Sequence, residues 1–115
     1  GCHILMKRKG IKPSDIQKLY LAGAFGNYIN PLNAKLIGLL PDIPTELMNF
    51  VGNAAGTGAR MALISKKLRD VAASISRKTD YVELASEPDF QMEFSSAMYF
   101  PHKDLSRFQS IKHLF

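Results

Sequence analysis

The sequence predicts an α/β fold: a small three-layer parallel sheet with crossover helices on its faces. Three observations predict it. Short apolar runs alternate with helix-patterned segments in the order αβαβαβα. The helical stretches between successive runs are long enough for the crossovers that parallel strands require. The first two apolar runs each lead into a glycine-containing segment and then a helix, which is the ligand-binding end of an open α/β sheet.

The elements follow in order. Ile4 and Leu5, the basic turn Lys7-Arg8-Lys9 and the stop at Gly10 read as the end of a helix. A helix with an end and no beginning suggests a chain cut from something longer. Pro13-Ser14-Asp15 is a turn or one short helical turn. Lys18–Ala22 is a buried strand, and Gly23-Ala24-Phe25-Gly26-Asn27 a tight loop. Asn30 and Pro31 open a helix as N-cap and first helical residue, and this helix runs past Leu36 and Leu39 and ends before Pro41. Thr45 and Glu46 begin a short turn. Asn49–Val51 is a second strand, parallel to the first. Gly52–Ala59 is a small-residue loop into an amphipathic helix whose inward face carries Met61, Leu63, Ile64 and Leu68.

Ser65 either caps a second helical segment or lies within one helix that continues to about residue 76, with Val71, Ala72 and Ile75 inward. Tyr81–Leu84 is a third strand. Ser86, with Asp89 three residues on, reads as a capping box for a last helix that carries Phe90, Phe94 and Met98 and ends before Pro101. Residues 102–115 have no evident partner and form a tail, either a short docking helix or disordered. The expected organisation is thus a partial domain over 1–101 followed by the tail 102–115.

Composition narrows the function. No apolar run approaches the roughly 18 residues that span a bilayer, and no basic leader opens the chain, so a membrane is not expected as a partner. The single cysteine, Cys2, forms no internal disulfide and fits a reducing, cytoplasmic setting. It holds no metal or iron–sulfur cluster without ligands from elsewhere, and His102 and His113 lie far from the Cys2-His3 pair. The net charge of +5 raises nucleic acid as a partner. The cations fall in separate clusters, of which Lys7–Lys12 and Arg77-Lys78 sit at helix ends, and aromatics do not interleave with them as in a base-stacking platform, so solvated helix faces explain them better. No nucleophile–base or paired-carboxylate arrangement is visible, and no catalytic residue is assigned.

Chemistry therefore concentrates in the two glycine segments. Gly23-Ala24-Phe25-Gly26-Asn27 is neither a dinucleotide fingerprint nor a phosphate-binding Walker loop. Phe25 lies on a nucleobase or packs in the core; Asn27 bonds a ribose or caps a turn. Gly52, Asn53, Gly56 and their small neighbours let a backbone approach either a flat ligand or another element.

The stretch from Leu21 through Gly23-Ala24-Phe25-Gly26-Asn27 to Asn30-Pro31 resembles the C-terminal region of the reductive activators of corrinoid proteins. So does Phe50–Leu63, with Gly52-Asn53-Ala54-Ala55-Gly56 at its start. Tyr81–Leu84, Pro88-Asp89-Phe90 and Ala97–Pro101 are similar to further motifs of that family, in its order and spacing, so the resemblance covers roughly residues 3–101. It implies the second half of an ATPase domain of the acetate and sugar kinase, heat-shock chaperone and actin superfamily. Residues 23–27 would be its adenosine loop, and 52–59 would open its connecting helix.

The resemblance further implies ATP, with magnesium in the full-length parent, and an iron–sulfur cluster in a part of the parent outside this chain. It implies a corrinoid protein as partner, reduced from Co(II) to Co(I) at the expense of ATP; the apolar surface that an open half-cleft exposes adds self-association as a homodimer to the expectations. The chain lacks the phosphate loops, a magnesium carboxylate and a cluster-binding cysteine set, so by itself it would be inactive. The alternative function is an interaction module that docks a corrinoid protein or a second copy without binding nucleotide.

Overall fold

The computed structural model describes residues 1–23 and 28–115. Among these residues seven regular elements follow one another: α1 (Cys2–Lys9), β1 (Leu19–Ala22), α2 (Pro31–Leu36), β2 (Met48–Gly52), α3 (Ala54–Ile64), α4 (Lys66–Lys78) and α5 (Phe90–Ser96). Single 3-10 turns at Pro13–Asp15, Thr45–Leu47, Leu84–Ser86, Leu105–Arg107 and Lys112–Leu114 punctuate them. The two strands pair in one parallel sheet, with α2 in the crossover between them.

The local signals explain most element ends. Gly10 closes α1 in the left-handed region at φ 71°, its N–H donating to the Lys7 carbonyl while the Ile11 N–H reaches back to Met6. Asn30 caps α2, its Oδ1 accepting from the Asn33 N–H at 3.0 Å, with Pro31 at the first helical position. Of the two readings of Ser65, the structure has the cap. Its backbone is extended, its Oγ accepts from the Leu68 N–H at 3.3 Å, and α4 starts anew. Arg69 then turns back, its Nε donating to the Ala62 carbonyl at 3.1 Å and so satisfying the end of α3.

Four expectations are corrected. The third strand is absent: Tyr81–Glu83 carries no regular structure and Leu84–Ser86 is a 3-10 turn. Ser86 does not cap α5; Asp89 occupies the cap position without a side-chain cap bond, because its carboxylate is paired with Lys7 of α1. The helix after Asn30 stops at Leu36, since Gly38 at φ 73° turns the chain. The small-residue loop is only Asn53: Gly52 ends β2, and Ala54–Ala59 are already helical.

The chain divides into two compact units. The first comprises residues 1–19, 29–49 and 83–115, the second residues 20–28 and 50–82. The first unit owns a core of Ile4, Ala34, Leu40, Ile43, Met48, Phe108 and Ile111, with Pro101 fully enclosed. Residues 102–115 thus supply two of these core side chains, and they do so as short turns rather than as a helix.

The fastening of that segment is polar. Asp42 accepts from the Ser110 N–H at 2.9 Å and from the Ser110 hydroxyl, and it faces Lys35 Nζ at 3.5 Å. The Lys35–Asp42 pair is buried, and Lys35 also donates to the Ile43 carbonyl at 3.4 Å, so neither charge is left unmatched. Glu93 of α5 accepts two bonds from Arg107, at 2.6 and 3.0 Å. In the second unit α3 packs against α4, but none of its described residues is buried. The expected inward face, Met61, Leu63, Ile64, Leu68, Val71 and Ile75, is exposed.

Candidate functional site

The candidate site lies within the second unit, where β1 and β2 end side by side. The Gly23 N–H donates to the Gly52 carbonyl at 2.7 Å, tying the two strand ends together. Both glycines have positive φ, 91° and 58°, a conformation that side chains with a Cβ rarely adopt. A Cβ on Gly23 would meet none of the described residues within 4 Å.

Asn53 follows and caps α3. Its Oδ1 accepts from the Gly56 N–H at 2.9 Å, and its carbonyl accepts from the Thr57 N–H at 3.0 Å. A methyl on Gly56 would stand 2.7 Å from the Asn53 amide nitrogen and push the cap aside. The structure therefore brings together Gly23, Gly52, Asn53 and Gly56 of the sequence-derived residues. Ala24, Phe25, Gly26 and Asn27 fall outside the described residues.

The donor set defines what the site can hold. Residues 20–28 and 50–59 contain no charged side chain. They offer backbone N–H and C=O groups, the Asn53 amide and the exposed rings of Tyr20 and Tyr28, a set suited to a flat, neutral, hydrogen-bonding group such as a nucleoside. They contain no carboxylate for magnesium and no cation for a triphosphate, so they do not fit the metal-bearing end of a nucleotide. Among the described residues no group of three or more His, Cys, Asp or Glu is placed to hold a metal ion, and Cys2 stands alone. An iron–sulfur cluster does not fit this chain's own residues. No helix among the described residues is long and apolar enough to cross a membrane.

The ionisable groups with shifted pKa lie in the first unit. Hydrogen bonds from Arg107 hold the Glu93 carboxyl below the usual glutamate range. Burial, then the Arg107 charge, lowers the His3 imidazole, whose Nε2 is 3.5 Å from Glu93 Oε1. Two surface grooves of about 420 Å³ each lie in this unit as well. One is lined by Ile4, Lys7, Arg8, Glu87 and Asp89, where Lys7 pairs with Asp89 and Arg8 with Glu87 at 2.5 Å. The other surrounds the Lys35–Asp42 pair. Their charges are committed to one another, and the first unit reads as a fastened support. Sequence reasoning missed the Lys7–Asp89 and Arg8–Glu87 pairs, since partners 82 and 79 residues apart leave no spacing signal.

A parallel strand pair joined by a helical crossover, with glycines at the strand ends and a capped helix beyond, is a small α/β arrangement. The family model described as the C-terminal domain of RACo, the ASKHA domain, matches residues 1–112, and the chain belongs to this family. The match extends past Pro101 into the segment expected to be an uncovered tail.

A solved structure titled reductive activator for corrinoid,iron-sulfur protein superposes with a TM-score of 0.88 at 39% identity, covering 96% of this chain and 18% of that one. The corrinoid activation enzyme RamQ of Eubacterium limosum is 47% identical over 90 residues, 78% of this chain and 15% of the relative. The [Co(II) methylated amine-specific corrinoid protein] reductase of Methanosarcina barkeri is 28% identical over 88 residues, 75% of this chain and 16% of the relative. The chain thus spans about one sixth of the length of these proteins, and it corresponds to part of a corrinoid reductive activator.

Proposed function

We propose that this chain supplies the adenosine-contacting side of the nucleotide cleft in a cytoplasmic, ATP-dependent iron–sulfur protein that reductively activates corrinoid proteins. Gly23 to Asn27, with Gly52, Asn53 and Gly56, would form that side. The observation that carries the reading is the joining of Gly23 and Gly52, both at positive φ, at the ends of two parallel strands. Parallel α/β sheets bind ligands at this end, where the backbone is exposed and the next helix begins. The absence of charge in both segments supports contact with the nucleoside rather than the phosphates.

The division of labour follows from the donor set. Phosphoryl transfer needs a metal and cationic donors around the γ-phosphate, and these would come from the rest of the parent protein. The redox step would use the parent's cluster, which supplies the electron to cobalt, with a corrinoid protein as the partner that docks. This chain's residues would bind and orient adenosine from one side. Burial on one side only gives weak affinity, with a dissociation constant for ATP no tighter than about millimolar, or about 4 kcal/mol.

A nucleotide titration read by amide chemical shifts tests this. Shifts confined to residues 21–31 and 50–60 are expected. No shift at millimolar ATP would favour a docking module, for a corrinoid protein or a second copy in a homodimer. In the full-length parent, Gly23→Val and Gly26→Val should weaken nucleotide binding more than Lys66→Ala or Lys67→Ala. Equal losses would refute the role given to the glycine turns. The purified chain should release no phosphate from ATP and reduce no corrinoid protein.

A further inference from the structure

Four cations of α4 have no structural partner. The second unit holds six basic and two acidic residues, and α4 carries five of the six. Arg69 is spent within the unit, on the Ala62 and Leu63 carbonyls at the end of α3. Lys66, Lys67, Arg77 and Lys78 are exposed, and among the described residues none of them forms an ion pair. The first unit behaves differently: its Lys7, Arg8, Lys35 and Arg107 are each matched to a carboxylate.

Their placement is not that of a helix arranged for stability alone. Arg77 and Lys78 stand in the last turn, where the helix dipole favours positive charge. Lys66 and Lys67 occupy the first two positions, where the dipole opposes it, and the first turn holds no acid to offset them. Lys66 and Arg77 are eleven residues apart, as are Lys67 and Lys78. Eleven residues are three turns to within about 20°, so each pair forms a row about 16 Å long. The rows run along the back and one flank of α4, away from the stripe of Leu68, Val71, Ala72 and Ile75. Asp70 is the one acid between them.

We infer that this basic back of α4 is the surface on which the parent protein receives an acidic face of its corrinoid protein. The inference rests on the reading that the parent activates corrinoid proteins. A protein that reduces a partner and then releases it makes a transient contact. Such contacts are small and polar, and complementary charge steers them. Two cation pairs about 16 Å apart call for two groups of carboxylates at the same spacing. Asp70 between them calls for a Lys or Arg. A nucleic acid fits less well: α4 has no aromatic residue on which bases could stack, and a continuous run of phosphates would meet Asp70.

Association rates test it. The full-length parent is mixed with the corrinoid protein that the Eubacterium limosum relative activates, in its Co(II) form, from about 20 to about 500 mM salt. Replacing Lys66, Lys67, Arg77 and Lys78 together by Glu should slow association about tenfold or more at low salt, and the difference should close at high salt. ATP hydrolysis without the corrinoid protein should be unchanged, because none of the four belongs to the strand-end site. Lys9→Glu with Lys103→Glu, exposed cations of the first unit, should alter the rate less than about twofold. Lys66→Glu with Lys67→Glu alone should slow association without lowering the thermal midpoint of the 115-residue chain, since acids suit a helix start. That separates lost docking from lost folding. A rate and salt dependence untouched by the four reversals would overturn the inference and leave the activator reading intact. No association by the unsubstituted parent would sink that reading and this inference with it. Weaker binding of a fluorescent single strand of about 20 nucleotides, with corrinoid association unchanged, would overturn it in favour of nucleic acid.

Discussion

The two units of this chain use the same vocabulary to different ends. The first encloses Ile43, Pro101 and Ile111 and fastens its last segment with Asp42 and Glu93. The second has better-patterned helices and encloses none of its described residues. An amphipathic stripe announces that a face will be covered; it does not say by what. The core of the first unit is assembled from poorly patterned pieces, among them the six-residue α2 and the short turns of 102–115. Packing across long sequence separations, rather than helical periodicity, marks the self-sufficient part of the chain.

Ile43→Ala should break the contrast most visibly. It removes a side chain that is 2% exposed and should cost about 2–5 kcal/mol, read as a lower urea midpoint for the first unit. Gly38→Ala comes next. Gly38 has φ 73°, and an added Cβ would lie 1.9 Å from the Pro101 carbonyl oxygen. Left-handed strain and the collision together should cost about 2–3 kcal/mol, checked by thermal unfolding.

Glu93→Gln should have a smaller effect, about 1–2 kcal/mol at neutral pH, because it weakens a charge-assisted pair whose Arg107 partner is part-exposed. It should also change the acid limb. The Glu93 carboxyl sits below its unfolded range, so its contribution is complete above that range and fades as pH falls through the folded value. His3 is lowered as well, so acidification below about 6.5 already favours the unfolded, protonated imidazole. A stability profile of the unsubstituted chain should therefore decline in two stages on acidification. Glu93→Gln should remove the lower stage and His3→Asn the upper. A flat profile between pH 7 and 3 would contradict both assignments.

Ile75→Ala should do least, within about 0.5 kcal/mol in the isolated chain, because the side chain is already 60% exposed. A loss comparable to that of Ile43→Ala would erase the distinction between the units.

Local chemistry made much of this architecture legible in advance. Gly10, Asn30 and Pro31 act within one turn of themselves, and each does what its residue type does elsewhere. The two strands and their parallel pairing were legible because α2 stands between them. Ser86 misled because Asp89, its expected capping partner, answers to Lys7, 82 residues away. Tyr81–Leu84 has the composition of a strand, but strand formation is decided by neighbours that composition does not name. At the candidate site, the glycine turns were visible from the residues alone. The bond between Gly23 and Gly52, which makes one site of two turns, was not.

The hold of Asp42 on Ser110 determines where this polypeptide tolerates cutting. Proteolysis or an expression boundary at Pro101 would strip Phe108 and Ile111 from the core and leave the Lys35–Asp42 pair open to water. The last buried side chain is Ile111, and the family match ends one residue later, at 112. A shortened version should keep residues 1–112, because the turns within 102–112 complete the core of the first unit.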